Sequence, residues 1–390
     1  MTVPPPRDPV SAVTHPDPYP YYAGLTAERP LYKDEREGYW IASSAATVTA
    51  VLTSARCRVR PPAEPVPKAL LGSAAGEIFR RLVRMNDGGG HEAARYAVAA
   101  TVQTLDLERV AQESARWARP LVGEGVDPAG LSSFVFALPV HVMGSLLGMP
   151  PAFLRQTTQW MSHFVRCLAP ASTPPQIERG KDAAGHLLEV GHMTLQDGPD
   201  DGLLPVLARQ ARRAGIEDTE TIVANGIGFM SQAYEATAGL IGNTLLALAA
   251  RPELRAAVTA DSTRLPAVIR EVSRHDAPVQ NTRRWVADAG AVAGHDMAAG
   301  DIVLVVLAAA NRDPAANPRP HDFDPHRPER RVFTFGVGPH ACPGEMLAVA
   351  IASAGVAALL DAGLDPAGLP PRLTYRPSGN TRIPLFDMLT

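Results

Sequence analysis

Cys342 lies in a segment rich in glycine and proline, 333–344, which immediately precedes the apolar stretch 346–360. Glu345 and Asp361 flank that stretch, which is shorter than the roughly 20 residues that a membrane span needs, so it predicts a buried helix. Exposed backbone N–H groups and the helix dipole favour the thiolate form of a cysteine at a helix start. The sequence therefore predicts a thiolate held at the N-terminus of a buried helix.

The residues beside Cys342 suit the approach of a flat ligand to its sulfur. Pro343 fits the first turn of the helix, where its missing N–H costs nothing. Phe335 can cover the sulfur and limit the access of water. Three glycines permit tight turns and a close approach of the backbone: Gly336, Gly338 and Gly344. A thiolate held in this way suits a haem iron, because it pushes electron density onto the metal and favours cleavage of the O–O bond.

Two other interpretations of Cys342 stay open at this point. Cys342 could be a small buried hydrophobic residue, as most isolated cysteines are. Cys342 could also act as a nucleophile with His340, two residues before it, as the base. The spacing alone excludes neither interpretation.

Composition and charge exclude several classes of function. The 390 residues carry a formal net charge of −3 without a basic stripe, so nucleic acid is not the expected partner. The three cysteines, Cys57, Cys167 and Cys342, are far apart and odd in number, which argues against a disulfide framework and for a reducing compartment. The N-terminus is polar and interrupted by proline, unlike a signal peptide. We expect a soluble, cytoplasmic monomer that binds no membrane.

The pattern along the chain predicts a mainly α fold with small β-sheets, in a single domain that covers residues 1–390. Short apolar runs that alternate with polar residues predict strands near both ends of the chain. The β-rich parts are expected at about 20–60, 280–310 and 370–390, with the last strands around Pro377 to Asn380.

Apolar residues at helical spacing predict the longest helix over Asp218–Ala250, with Asp218 as its N-cap. Shorter helices are expected over about 264–275 and 345–360. Breaks in the helical pattern are expected at three places, namely 86–90, Pro139 and Pro150-Pro151.

The segment Phe335-Gly-x-Gly-x-His-x-Cys342-x-Gly344 resembles the haem-binding loop of cytochromes P450, which is a highly specific signature. Shorter motifs extend the resemblance over nearly the whole chain. Glu271-Val-Ser-Arg274 resembles the family's Glu-x-x-Arg pair, and Phe323-Asp-Pro-His-Arg327 resembles the element whose arginine completes the same buried network. Ala310-Asn-Arg-Asp-Pro314 resembles a segment common in bacterial members. The chain is similar to soluble, bacterial cytochromes P450.

The resemblance implies a haem b held through Cys342 as metal ligand, with O2 as co-substrate. His91-Glu-Ala-Ala-Arg95 resembles the motif that holds haem propionates, and Arg284, with Arg283 as the alternative, aligns with a further propionate-binding arginine. Taken alone, Glu271 and Arg274 would be an ordinary surface pair; the family gives them a structural role. The residues implied for cofactor binding are His91, Arg95, Arg284, Phe335, Gly336, His340, Cys342 and Gly344.

The long helix departs from the family pattern at its centre, where the usual core is Ala-Gly-x-[Asp/Glu]-Thr. Glu235 falls on the acid, and Gln232 and Ala233 replace the Ala-Gly pair. Ala236 replaces the threonine that in the family helps deliver protons to oxygen. Thr237 comes one residue late and is turned by about 100°, so it can take the usual place only if the helix is locally distorted.

Three routes of proton supply are open for such a helix. In the first route, which we favour, a substrate hydroxyl or an ordered water completes the proton relay. In the second, Gln232 or Glu235 carries a larger share of the proton transfer. Alternatively, the enzyme runs an atypical reaction, such as oxidative coupling or the use of peroxide. A haem-thiolate sensor without turnover is an alternative from another class of protein. The positions with an expected catalytic influence are Gln232, Glu235, Ala236 and Thr237.

By resemblance, four segments are expected to line the substrate pocket: the loop before His91, the long helix, the segment after residue 275 and the C-terminal turn. Polar amides at several of these places favour a small organic substrate with hydrogen-bonding groups, such as a secondary metabolite. We expect Met230 to pack rather than to recognise substrate. The expected pocket residues are Met85, Asn86, Met230, Ala233, Tyr234, Val279, Gln280, Asn281 and Asn380.

The reaction expected from the resemblance is hydroxylation or another oxidation of that substrate, with O2 and two electrons. The sequence contains no fused flavin or iron–sulfur segment, so the electrons are expected from a ferredoxin and an NAD(P)H-dependent ferredoxin reductase. Arg330 and Arg331 are expected to meet an acidic surface of the ferredoxin near Cys342.

Overall fold

The computed structural model of the protein describes residues 4–123, 127–369 and 374–386. Helices account for 59% of the chain, which confirms the mainly α fold. The described α-helices are α1 Pro9–Ala12, α2 Tyr19–Glu28, α3 Ala45–Thr53, α4 Ala74–Arg81, α5 Gly88–Gln103, α6 Leu107–Val122, α7 Pro128–Leu147, α8 Pro151–Cys167, α9 Pro174–Asp197, α10 Leu203–Arg213, α11 Thr219–Ala249, α12 Pro252–Ala260, α13 Leu265–His275, α14 Leu307–Asn311 and α15 Glu345–Asp361. The described strands are β1 Leu31–Asp34, β2 Tyr39–Ala42, β3 Cys57–Arg58, β4 Thr282–Val286, β5 Gly290–Val292, β6 His295–Met297, β7 Ile302–Val305, β8 Thr374–Tyr375 and β9 Pro384–Leu385.

The chain divides into two compact units. The first consists of Met1–Arg58, Val122–Val135 and Glu235–Thr390, and it contains all the described strands. The second consists of Val59–Leu121 and Phe136–Tyr234 and is helical in its described secondary structure. A single domain over the whole chain stays a prediction.

A five-stranded sheet in the order β1-β2-β7-β4-β3 organises the first unit. β2 and β7 pair in parallel, and the other neighbours pair antiparallel. Side chains alternate between the two faces, so Val303 and Val305 belong to a core with α3, whereas Ile41 and Leu304 belong to a core with α2. The sheet predicted from both ends of the sequence is therefore one sheet with two apolar faces.

The long helix α11 follows the prediction closely. Asp218 caps it, because its carboxylate accepts hydrogen bonds from the N–H of Glu220 at 3.3 Å and the hydroxyl of Thr221 at 2.7 Å. In the first unit, two glycines allow the C-terminal chain to approach this helix. A Cβ on Gly239 would lie 2.9 Å from the carbonyl of Arg382, and one on Gly242 would lie 2.5 Å from Cγ of Pro384.

Three expectations about local structure are wrong. α7 continues through Pro139, where fully buried neighbours such as Leu138 and Val140 offset the lost hydrogen bond. Glycines 88–90 begin α5 rather than end a helix, and the positive φ of Gly88, +72°, turns the chain into it. The last described strands flank 377–380 instead of containing it, and the remainder of the expected 370–390 region, 370–373 and 387–390, lies outside the described residues.

Two segments of the described chain are apolar and long enough to cross a membrane by length and composition alone: Gly130–Leu147 and Gly338–Asp361. In the first, 72% of the residues are buried within the protein, as in the core helix of a globular fold. In the second, the α-helix itself, α15, has 17 residues, fewer than the roughly 20 that a span needs.

Candidate active site

Cys342 lies on a tightly folded loop with its side chain exposed. Its Sγ accepts a hydrogen bond from the backbone N–H of Gly344 at 3.3 Å. Its own N–H donates to the carbonyl of Phe335 at 2.7 Å, which closes the loop on itself. Because an N–H donor favours negative charge on sulfur, the loop presents Cys342 in a setting that suits a thiolate.

The other two thiols have a different environment. Cys57 and Cys167 are both buried. Burial raises the pKa of Cys167 to about 11 and also raises the pKa of Cys57 above its ordinary value. Both therefore act as small hydrophobic residues. Of the three cysteines, all of which lie in the described part of the chain, Cys342 is the one placed to bind a ligand.

The glycines of the loop have different roles. Gly336 and Gly338 adopt φ of +69° and +73°, which favours glycine. A Cβ on Gly338 would also lie 2.9 Å from Cγ2 of Thr53 on α3, so this turn packs directly against the helix. Gly344 has a φ of −100°, and a Cβ there would meet Sγ of Cys342 at 3.7 Å. Gly344 is therefore not required for the turn, contrary to prediction.

The start of α15 also differs from the prediction. The helix begins at Glu345 with Gly344 as N-cap, so Pro343 precedes the helix rather than occupying its first turn. Cys342 stands two residues before the cap. The support for its sulfur therefore comes from a specific N–H, that of Gly344, and not only from the helix dipole.

A buried ion-pair network lies on α13. Glu271 and Arg274 are both 0% exposed and form a bidentate pair with N···O distances of 3.0 and 2.6 Å. Arg330 Nε lies 3.0 Å from Glu271, and Arg327 Nε lies 3.7 Å away. The N–H of Asp324 donates to the same carboxylate at 3.0 Å. The Glu-x-x-Arg pair is therefore a buried structural centre and not a surface pair.

The network is attached to the cysteine loop through two asparagines. Asn311 Oδ1 accepts the N–H of Phe333 at 2.6 Å, and its Nδ2 donates to the hydroxyl of Thr334 at 2.8 Å. Asn317 bonds both the N–H and the carbonyl of Arg331, at 3.0 and 2.9 Å. Arg274 Nη1 contacts the carbonyl of Asn311 at 3.2 Å. The start of the loop thus depends on the buried Glu271–Arg274 pair for its position.

The expected role of Arg330 as a docking residue is wrong. Its side chain is largely buried and engaged with Glu271 and with the carbonyl of Pro325 at 2.7 Å. Arg331, the next residue, is exposed and stays available as a docking residue. A local sequence of two arginines does not reveal which one faces inward.

The four expected propionate contacts are distributed over both units. In the first unit, Arg284 is buried on β4, and its Nη1 donates to the carbonyl of Arg283 at 2.9 Å. His340, in the same unit, is half-buried at the end of the 3₁₀ turn 338–340. In the second unit, His91 is buried in the first turn of α5, and Arg95 lies one turn further along and is half-buried. Their contact with haem stays a prediction.

Hydrogen bonds fix the turn that leads into α5. Asn225 on α11 accepts the N–H of Val83 at 2.8 Å and donates to the carbonyl of Arg81 at 2.9 Å. Asn86, an expected pocket residue, donates to the carbonyl of Leu82 at 2.7 Å and accepts from Arg60 at 2.8 Å. Both ends of the Asn86 amide are thereby occupied within the protein, and its contact with substrate stays a prediction.

The centre of α11 is an uninterrupted α-helix, without a π-turn or 3₁₀ turn between Thr219 and Ala249. The local distortion that would bring Thr237 into the usual threonine position is absent from this part of the described chain. Gln232 is exposed, and its Nε2 donates to the carbonyl of Gly228 at 3.0 Å. Glu235 forms an ion pair with Arg376 at 3.1 Å. Of the four positions with an expected catalytic influence, Thr237 is the buried one, and the catalytic role of all four stays a prediction.

The expected pocket residues differ in accessibility. Met230, Tyr234, Gln280 and Asn281 are buried, and each contacts protein. Tyr234 packs on Phe136 with ring centroids 5.0 Å apart, and Asn281 Nδ2 donates to the carbonyl of Gly379 at 2.8 Å. Met85, Ala233 and Val279 are half-buried, and Asn380 is exposed. Contact of any of these with a substrate stays a prediction.

Sequence reasoning missed two arginines, both in the C-terminal hairpin. Arg376 pairs with Glu235, as described above. Arg382 is almost fully buried and bonds Asp276 at 3.0 Å and the carbonyl of His15 at 2.7 Å. No local pattern marks either one, because each contact joins segments that are far apart in the sequence. Asn311 lay inside a recognised motif but without an assigned role.

Comparisons with known proteins agree with this arrangement. The family model for Cytochrome P450 matches residues 176–362. Cytochrome P450 monooxygenase PikC from Streptomyces venezuelae is 30% identical over 363 residues, which cover 88% of this chain and 83% of PikC. The 20-oxo-5-O-mycaminosyltylactone 23-monooxygenase of Streptomyces fradiae is 27% identical, over 84% of this chain and 78% of that enzyme. The crystal structure of CalO2 has a TM-score of 0.83 at 25% identity and covers 97% of this chain and 96% of that one.

An exposed sulfur with an N–H donor suits both a haem ligand and a cysteine nucleophile, and the comparisons favour the haem ligand. The chain belongs to the cytochrome P450 family, since its similarity to PikC extends over most of both chains. It is a cytochrome P450 monooxygenase of the bacterial type, with haem b as cofactor and O2 as co-substrate. Its substrate is a small molecule, and a redox partner supplies the electrons.

The residues present fit a haem. Cys342 offers an exposed thiolate donor, which is the ligand type that cytochrome P450 iron takes. Arg284 and His340 in the first unit, and separately His91 and Arg95 in the second, are cationic or donor groups of the type that binds propionates, and their contact with haem stays a prediction. Bound haem supplies the iron at which O2 is reduced and activated. The protein's own part is to hold the sulfur through Gly344 and Phe335 and to keep the loop in place through Asn311.

Proposed function

We propose that the protein hydroxylates or otherwise oxidises a small secondary-metabolite substrate, using O2 and two electrons. The observation that carries this proposal is Cys342, exposed and provided with an N–H donor on a loop anchored to the Glu271 network. PikC and the mycaminosyltylactone 23-monooxygenase, which are similar over most of the chain, are monooxygenases of Streptomyces. The name of the Streptomyces fradiae enzyme specifies 20-oxo-5-O-mycaminosyltylactone, which supports a secondary metabolite as the substrate class.

In this proposal, Cys342 binds the iron, Phe335 covers the sulfur, and Gly336 and Gly344 let the backbone approach the haem closely. His91, Arg95, Arg284 and His340 neutralise the propionates, since charge-assisted hydrogen bonds to carboxylates are the stronger kind. The accessible members of the expected pocket, Met85, Ala233, Val279 and Asn380, contact the substrate.

Proton supply in this proposal passes through the substrate or an ordered water, with Gln232 and Glu235 as the polar groups on the neighbouring turn. Ala236 has no hydroxyl, and the regular helix keeps Thr237 about 100° away from the usual threonine direction. The same observation favours a second candidate function, namely oxidative coupling or the use of peroxide. Peroxide brings both protons with it, so that route draws no protons from the helix. Turnover driven by peroxide in the absence of a reductase, faster than turnover driven by NAD(P)H, would support the second candidate.

We propose a ferredoxin with an NAD(P)H-dependent ferredoxin reductase as electron donor, and a cytoplasmic monomer as the working form. Arg331 is exposed next to the cysteine loop and suits an acidic partner surface. Arg331→Glu is expected to slow reduction by ferredoxin without changing reduction by dithionite, because it reverses the charge at the docking surface only.

The test of the proposed function is the carbon monoxide difference spectrum of the reduced protein. Wild type is expected to give the thiolate-type Soret band, and Cys342→His is expected to lose it. Cys57→Ala is the matched control, since that thiol is buried and lies outside the loop. Retention of the band in Cys342→His, or its absence from wild type, would contradict the proposed ligand. A screen of small molecules by the shift in spin state then identifies the substrate.

A further inference from the structure

Arg376 contacts the centre of α11 from a part of the chain that no recognised motif covers. Its Nη1 lies 3.1 Å from Oε1 of Glu235, and the two side chains are 17% and 24% exposed. The pair is therefore shielded from much of the solvent and weakened less by salt than an ion pair on the open surface.

The strands β8 and β9 hold Arg376 in a fixed place. Its N–H donates to the carbonyl of Ile383 at 2.9 Å, directly after the paired residue Tyr375. Successive residues of a strand point to opposite faces, so Tyr375 and Arg376 face opposite ways. On the face that carries Tyr375, the hydroxyl of Tyr375 accepts a hydrogen bond from Arg382 at 2.7 Å. Arg382 in turn donates to the carboxylate of Asp276 at 3.0 Å. Because one face is fixed to the protein core, the other face presents Arg376 to Glu235 with little freedom.

Glu235 occupies a special position in this chain. It directly precedes Ala236, which lacks the hydroxyl of the usual threonine, and the helix stays regular through Thr237. The carboxylate of Glu235 is therefore the acidic group available on this turn for moving a proton. The structure places it at ion-pair distance from Arg376, so the attraction between the charges, and not a directed hydrogen bond, is what can orient the carboxylate.

We propose that Arg376 is a positioning residue for oxygen activation, which keeps the Glu235 carboxylate in one orientation so that protons arrive where the O–O bond breaks. The proposal rests on the monooxygenase function proposed above. Productive turnover follows RH + O2 + 2e⁻ + 2H⁺ → ROH + H2O, whereas failed turnover follows O2 + 2e⁻ + 2H⁺ → H2O2. Glu235 takes each proton from water and passes it on, and Arg376 acts only by holding the carboxylate.

The test compares two ways of driving the same oxidation in the holoenzyme, with styrene as probe. With NADPH, ferredoxin and ferredoxin reductase, the helix must supply two protons, whereas hydrogen peroxide brings both protons with it. In Arg376→Gln, the fraction of NADPH that ends as styrene oxide is expected to fall about threefold to tenfold, with peroxide rising correspondingly. This is less than the roughly 10²–10⁴ of a complete acid–base group, because Glu235 remains. Epoxidation driven by peroxide is expected to stay at the wild-type rate.

Two comparisons separate positioning from a merely structural role. Arg376→Lys keeps a cation and is expected to restore most of the NADPH-driven yield. Arg264→Gln is the matched control, since Arg264 forms an exposed ion pair with Asp261 and is expected to change neither route. Thermal unfolding of Arg376→Gln, Glu235→Gln and the double variant gives a readout apart from activity. The loss of Tm in the double variant is expected to be smaller than the sum of the single losses.

An unchanged NADPH-driven yield in Arg376→Gln would overturn the positioning role, as would an equal fall in both routes or a failure of lysine to restore the yield. Additive losses of Tm would show that the pair does not interact and would overturn it as well. These outcomes differ from a failure of the proposed function itself. In that case, wild type would lack the thiolate-type band, and the positioning role would fall with it.

Discussion

Asn311 Oδ1 accepts a hydrogen bond from the backbone N–H of Phe333 at 2.6 Å, and this bond attaches the cysteine loop to the buried centre of the protein. Asn311 lies at the end of α14, whereas Phe333 opens the loop that carries Cys342. The carbonyl of Asn311 also accepts from Arg274, so one residue connects the Glu271–Arg274 pair with the loop. The buried network therefore holds the loop, and with it the sulfur of Cys342, in place through Asn311.

Replacement of Asn311 by leucine tests this connection. Asn311→Leu preserves the volume but leaves the N–H of Phe333 without its partner and removes the donor to the hydroxyl of Thr334, which keeps its own bond to the carbonyl of Ser273. A buried group without a partner costs about 1–3 kcal/mol, so we expect a loss of about 2–4 kcal/mol in the free energy of unfolding, together with lower haem content. Urea unfolding and the ratio of Soret to protein absorbance measure both effects. Gln159→Ala, an exposed amide on α8, is the control; wild-type haem content in Asn311→Leu would contradict the connection.

Arg330 and Arg331 form a matched pair of neighbours with opposite expected behaviour. Arg330→Met leaves the fully buried Glu271 with one fewer cation, and removal of one partner of a buried pair costs roughly 3–5 kcal/mol. Arg274 remains, so we expect a loss of about 2–3 kcal/mol in the free energy of unfolding. Arg331 is exposed, so Arg331→Met is expected to change the free energy of unfolding by less than about 0.5 kcal/mol. Equal effects in urea unfolding would contradict the assignment of Arg330 to the network.

The parts of the fold that could be predicted from the sequence are those with a local physical signal. The long helix α11 has a capping aspartate and uninterrupted helical spacing, and the cysteine loop has glycines at the two positions with positive φ, Gly336 and Gly338. Pro139 misled the prediction because the burial of α7 outweighs the lost backbone hydrogen bond, and a sequence pattern does not give the size of that compensation.

The parts that could not be predicted depend on contacts between distant segments. Arg376 reaches Glu235 only after β8 and β9 have folded, and nothing near Arg376 in the sequence marks this contact. The inward direction of Arg330 rather than Arg331 follows from the path of the chain around Glu271. The burial of Gln280 and Asn281, two of the nine expected pocket residues, belongs to this group too. Gln280 and Asn281 have the polarity of recognition groups, yet their amides bond the carbonyls of Ala277 and Gly379.

Ala236→Thr restores the hydroxyl at the usual position on α11. Because the helix is regular there, the new hydroxyl points in the direction that Thr237 misses by about 100°. We expect a change in the fraction of reducing equivalents that end as product rather than hydrogen peroxide, measured as product and peroxide formed per NADPH consumed. Thr244→Val, which removes a buried hydroxyl about two turns further along the same helix, is the control and is expected to leave this fraction unchanged. An unchanged fraction in Ala236→Thr would show that proton supply does not depend on this position.

His275, at the end of α13, is expected to make the protein sensitive to acid. Burial and the nearby Arg312 lower the pKa of His275 from 6.5 to about 2. Both ring nitrogens are engaged within the protein: Nδ1 accepts from Arg312 at 2.9 Å, and Nε2 donates to the carbonyl of His321 at 3.0 Å. Between pH 6.5 and 2 the unfolded chain therefore binds one more proton here, so the free energy of unfolding falls as the pH falls. From pH 7 to 5 the free energy of unfolding is expected to fall by about 2 kcal/mol through this one group. Urea unfolding at the two pH values measures this fall, and His275→Gln is expected to abolish it. His326→Gln, at an exposed histidine, serves as the control, and an unaltered pH dependence in His275→Gln would exclude His275 as the cause.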